Sequence, residues 1–132
     1  MRRQLLKLLL LLPIVVLLMG AKELRDPDPV AVPQGLSSQD VVRAIKMALV
    51  GRTWVVSKVQ PGRIDATLNL RAHVARIAIT YDASQVTVAY VSSDNLDYKE
   101  KKGRRYIHKN YLSWVNNVVA DLSRNLQGLS ME

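Results

Sequence analysis

The sequence predicts an α+β domain: a two-layer sandwich of helix, four-stranded antiparallel meander and helix, with both helices on one face of the sheet. Three observations carry this. Apolar residues recur at helical spacing over 41–49 and again over 107–126. Between them the period drops to two in four short runs separated by turn residues. Each element is apolar on one side only, and one-sided elements are satisfied by burying those sides against one another.

The first helix opens at Ser37-Ser38-Gln39-Asp40, where a Ser cap with an acidic residue three positions on satisfies free N–H groups. Val41, Val42, Ile45, Ala48 and Leu49 then form its apolar stripe, with Arg43 and Lys46 opposite, and Gly51 is placed to stop it. The runs TWVVSKVQ and RIDATLNLR, joined by Pro61-Gly62, predict a hairpin. In the second run Ile64, Ala66, Leu68 and Leu70 share one face and Arg63, Asp65, Thr67 and Asn69 the other. AHVARIAITYD supplies a third strand, Asp82-Ala83-Ser84 a turn, and QVTVAYV a fourth strand. After the polar loop SSDNLDYKEKKGRRY, residues Ile107, Tyr111, Trp114, Val115, Val118, Leu122 and Leu126 mark the last helix.

Ahead of this domain, MRRQLLKLLLLLPIVVLLMG has the three-part order of a secretory signal: cations, an apolar run from Leu8 to Met19, then small residues. The run is short for a transmembrane helix and holds Pro13, although retention as an anchor stays open because the site before Ala21 suits cleavage poorly. Arg2-Arg3 resembles a twin-arginine motif, but no cofactor motif follows and the general secretory route is favoured. Leu18-Met19-Gly20-Ala21 resembles a lipobox with Ala in place of its Cys, which leaves no thiol to carry a lipid. Pro27, Pro29, Pro33 and Gly35 then suggest an extended tether. The expected organisation is 1–21 signal or anchor, 22–36 linker, 37–127 single α+β domain and 128–132 tail.

Composition removes several chemistries. With no Cys, disulfides, thiolate metal sites and Cys nucleophiles are excluded, and with no Phe, Trp54, Trp114 and five Tyr supply the aromatic volume. The net charge of +8 falls to +5 without Arg2, Arg3 and Lys7, a balance that favours solubility or anionic partners such as lipid headgroups, lipopolysaccharide or glycan. Export argues against nucleic acid. No metal site, cofactor or catalytic residue is assigned.

Two groups of candidate residues stand out. Ser93 and Asn95, within Ser92–Leu96, could form a small polar ligand pocket with His108, Asn110 and Tyr111 at the start of the last helix, where free N–H groups face an anion. The plainer reading is a loop closing on its own backbone. Lys99, Lys101, Lys102, Arg104, Arg105 and Lys109, flanked by Tyr98 and Tyr106, could lie on an anionic surface or form a solvated loop. His73 and His108 with Asp94 or Asp97 could act as acid and base, but no nucleophile motif accompanies them and structural roles are favoured.

Together with the signal, AHVARIAITYD, VAYVSSDNLDY and IHKNYLSWVNNV resemble a family of small uncharacterised lipoproteins from Gram-negative bacteria. The resemblance spans Ser37 to about Leu126, and its most specific pieces are Ser93-x-Asn95-Leu96-x-Tyr98 and Ile107-His108-x-Asn110-Tyr111-x-x-Trp114. It implies an envelope location and carries over no catalytic residue. The chain departs from the family at Ala21, where the lipid-bearing Cys would sit, and in its longer basic loop.

The expected function is that of an exported envelope protein, a non-enzymatic binding or structural module in the periplasm. The alternative is a small periplasmic hydrolase or ligand-processing enzyme using His108 and the Ser92–Leu96 segment. Partners are an envelope protein or an anionic surface, with a membrane tether through the first segment; self-association through a sheet edge or its wet face stays open.

Overall fold

A computed structural model describes residues 20–132, so the expected signal over 1–19 lies outside the described residues. The chain is α+β, with two helices and two antiparallel sheets. In chain order the elements are β1 (Ala21–Glu23), β2 (Val30–Ala31), α1 (Ser38–Gly51), β3 (Val55–Gln60), β4 (Arg63–Leu70), β5 (His73–Tyr81), β6 (Gln85–Asp94), β7 (Lys99–Lys101), β8 (Arg104–His108) and α2 (Lys109–Ser130).

The four expected strands form a meander, β3 through β6, within a five-stranded sheet of order β2-β6-β5-β4-β3. Alternation sets the faces. Ile64, Ala66 and Leu68 of β4 lie opposite Ile79, Ile77 and Ala75 of β5, and all six are buried. Val86 and Val88 of β6 continue that face. These side chains join Val41, Ala44, Ile45, Ala48 and Leu49 of α1 and Tyr111, Val115, Val118, Leu122 and Leu126 of α2 in one apolar cluster. The two stripes read from the sequence thus face the core, with Val42 and Trp114 only partly buried, while Ile107, expected to open the last helix, lies in β8 and is buried there.

The Ser37–Asp40 capping box is present, each side chain accepting the other residue's backbone N–H at 3.1 Å. At the far end, α1 includes Gly51, but the left-handed residue of the exit is Thr53, at φ 64°. Its hydroxyl donates to the Arg52 carbonyl at 2.7 Å. Gly62, at φ 78° after Pro61, closes the β3–β4 turn, a conformation cheap only for glycine.

Three expectations need correction. The Pro-rich stretch is no free tether. β1 pairs with β8, β2 pairs with β6, and Leu24 is only 3% exposed within the core cluster. The Leu24 N–H donates to the Arg105 carbonyl at 2.8 Å and the Val32 N–H to the Ser84 carbonyl at 2.9 Å. Proline has no N–H to give a ladder, so the strap is held where Leu24, Val32 and their neighbours interrupt the prolines. The polar loop before the last helix is also partly regular: β7 and β8 form a hairpin, and with β1 they make a second sheet of order β1-β8-β7. Lys102 and Gly103, at φ 53° and 76°, form its two-residue turn, with both residues left-handed as a type I′ turn requires. Finally, α2 continues through Ser130, into the expected tail.

Candidate functional site

The segment after β6 turns twice through left-handed backbone, at Asn95 (φ 57°) and Asp97 (φ 55°), and drives Leu96 between them into the core. Asn and Asp adopt this conformation more readily than other side-chain-bearing residues. The Asn95 amide donates to the Ala72 carbonyl at 2.8 Å, and the Asn95 carbonyl lies 2.6 Å from Nδ1 of His73, which therefore donates. The His73 ring lies 6.3 Å from that of Trp114. The Leu96 carbonyl accepts the His108 N–H at 2.8 Å.

His108 is the cap of α2. Its Nδ1 accepts the Asn110 N–H at 3.1 Å, which requires that nitrogen to be unprotonated. Asn110 itself is exposed. Tyr111 is buried edge-on to Tyr90, 5.6 Å between centroids, and Tyr90 stacks on Tyr98 at 4.8 Å. Burial, with the nearby Asp26 carboxylate second, holds the Tyr111 phenol well above the usual tyrosine range. Tyr98 is also raised, mainly because its hydroxyl donates to Glu100 at 2.8 Å. Ser93 is tied to this trio by a 2.8 Å bond to the Tyr90 hydroxyl.

Thus Ser93 belongs with Tyr90 and Tyr111, while Asn95 belongs with Ala72 and His73. His108 joins the two only through its backbone bond to Leu96. The hydroxyl of Ser93, the amide of Asn95 and Nδ1 of His108 are each engaged in a bond that shapes the chain. None of them lines the hollow at the hairpin tip or those beside α1.

The basic run splits by strand alternation. On the small sheet Lys99 lies opposite Tyr106, and Lys101 opposite Arg104; these four share the face turned away from buried Ile107. Arg105 points to the other face and approaches Asp26 at 3.7 Å. Lys102 occupies the turn. Lys109 begins α2 and donates its N–H to the Gly20 carbonyl at 3.3 Å. Lys99, Lys101, Lys102, Arg104 and Lys109 are exposed and make no ion pair among the described residues. An open hollow of about 480 Å³ at the hairpin tip is lined by cations but also by Glu23 and Glu100. Those two carboxylates make it a poor phosphate cradle.

Sequence reasoning missed two polar centres. Asp26, inside the strap, accepts the Tyr90 N–H at 2.9 Å and so pins the strap to β6. Asp121 on α2 accepts from Arg52 at 2.7 Å and from Arg124, joining the exit of α1 to α2. The Arg52 hydrogen bond, foremost, holds the Asp121 carboxyl below the ordinary carboxylate range. No local signal marks either residue, since Asp26 and Tyr90 are 64 positions apart and Arg52 and Asp121 are 69.

Among the described residues no group of three or more His, Asp or Glu could hold a metal, and no helix is long and apolar enough to cross a membrane. Comparison with protein-family models, curated proteins and solved structures returns no match.

Proposed function

We propose that this chain is an exported cell-envelope protein that acts, without catalysis, as a binding module for an anionic partner on the periplasmic side. One observation carries the reading: the hairpin cations Lys99, Lys101, Lys102 and Arg104 are exposed and unpaired among the described residues, whereas the polar groups that could have done chemistry are used in holding the fold. The arginines of β4 and β5 are neutralised, Arg63 by Asp65 at 2.9 Å and Arg76 by Asp94 at 2.9 Å, while Lys22 of β1 and Lys58 of β3 stand singly, so the hairpin is where free strand cations cluster among the described residues. The signal-like order of residues 1–20 and the resemblance to small envelope lipoproteins support the location. In this reading the helices cover one face of the large sheet, and the work is done at loops and edges.

Two measurements test it. Alkaline phosphatase fused after Glu132, which is active only when exported, is expected to be active in a Gram-negative host. An inactive fusion overturns export. The chain is expected to bind a polyanion column and to elute at lower salt after Lys101→Gln, Lys102→Gln and Arg104→Gln. An unchanged elution position overturns the binding face.

A further inference from the structure

We propose that the small sheet lies flat on the anionic phospholipid headgroups of the same bilayer that takes up the apolar run Leu8–Met19. The inference rests on the export reading above and on retention of the first segment as an anchor, and it specifies the partner.

The geometry begins at Gly20. Its carbonyl is bonded by Lys109, and the next residue, Ala21, pairs with His108. The apolar run ends at Met19, so whatever plane holds that run lies within one or two residues of the small sheet. No slack intervenes, because the chain after Ala21 is already laddered to β8. From His108 back to Arg104 is four residues, about 13 Å of strand, and β7 lies two strand spacings from β1, about 10 Å. Lys99, Lys101 and Arg104 are therefore within about 16 Å of the point where the run meets the domain, with Lys102 one residue beyond. Anionic headgroups attract cations over about a Debye length, 8 Å at physiological salt, so the tip cations are within their reach when the sheet lies flat and beyond it when the sheet stands upright.

Charge on the outward face favours that orientation. Lys99, Lys101 and Arg104 share it, with Lys102 at its rim. Its one acid, Glu23, is bonded by Arg25 at 3.2 Å. Glu100 points to the other face and takes the Tyr98 hydroxyl. The wet face of the large sheet, by contrast, closes its Arg–Asp pairs on itself.

The chain has no cysteine, so Lys102→Cys provides a unique site for a fluorophore. The full chain is reconstituted in vesicles of phosphatidylcholine, alone or with about one-third phosphatidylglycerol, with a quencher on the headgroups. Flotation first reports membrane association. Stronger quenching in the anionic vesicles is expected, reversed by about 0.5 M salt. The docked-to-undocked ratio should fall about fivefold for each of Lys99→Gln, Lys101→Gln and Arg104→Gln. A label at Ser123→Cys, about 20 Å along α2, should show no lipid dependence. Equal, salt-independent quenching at position 102 in both vesicles overturns the docking and leaves the tether standing. A chain that does not co-float overturns the docking together with the anchor reading beneath it.

Discussion

Asn95 separates a structural role from a ligand-binding one. In Asn95→Ala two things change. The amide bond to the Ala72 carbonyl is lost, worth about 0.5–1 kcal/mol for an exposed pair. An alanine must also hold φ near 57°, which costs about 1 kcal/mol more than for Asn. The sum is a loss of about 1.5–2 kcal/mol, or roughly 6–8 °C in Tm for a domain of this size. Asn95→Gly loses the same bond but accepts the left-handed backbone, and the relief of that strain offsets the added entropy of the unfolded chain, so its loss should be about 0.5–1 kcal/mol. Urea titration followed by Trp54 and Trp114 fluorescence resolves this gap. Equal losses in the two variants would refute the backbone argument. An Ala variant within about 0.5 kcal/mol of the parent would refute the structural role altogether.

Three further outcomes follow from the packing and the charges. Leu24→Ala should cost about 2–4 kcal/mol in urea unfolding, because Leu24 is a core residue; a free tether would give no change. Tyr111→Phe should stay within about 1 kcal/mol of the parent at neutral pH but lose less stability in alkali. The folded phenol is held above its ordinary value, so the parent loses stability from about pH 10 upward as the unfolded chain ionises first. Identical alkaline profiles would contradict this. Asp121→Asn should lower the urea midpoint at pH 7. Because the folded-state value of Asp121 is depressed, its contribution is present above the usual carboxylate range and fades as pH falls below about 4. A gap that stays constant on acidification counts against the Arg52 pairing as its source.

The parts of the fold legible in the sequence are those where periodicity persists. Val41 to Leu49 and Tyr111 to Leu126 each repeat over two or more turns, Ile64 to Leu68 alternates without interruption, and Ala75, Ile77 and Ile79 keep the same period although Ala78 is buried as well. The strap and the hairpin were opaque for the opposite reason. β1, β2 and β7 are two or three residues long, too short for any period to register. Their pairings join residues far apart in sequence, and the prolines and charges around them read as loop. The Lys102-Gly103 turn carried a weak signal, a Gly flanked by equal charged runs. For the candidate site, Ser93, Asn95 and His108 are residue types that bond backbone groups, and in the fold each does so or bonds a neighbouring side chain. What could not be read is the partner of each: Asn95 reaches Ala72 only once β5 and β6 have paired, His108 reaches Leu96 across the small hairpin, and Ser93 meets Tyr90 because the β5–β6 register slips beside Val91, which no local pattern marks.

The large sheet ends on one side in β2, only two residues long, and on the other in β3. β3 is the longer border, and Val55 and Val59 on it are half-exposed. A strand so bordered would template the addition of another chain, yet its pairing slips between Val56 and Lys58, and the lysine sits at the slip. A second copy approaching in register would have to accommodate a kinked backbone and bury an ammonium group. In a crowded compartment, where such borders seed fibres, that one irregularity favours separate molecules over stacked ones.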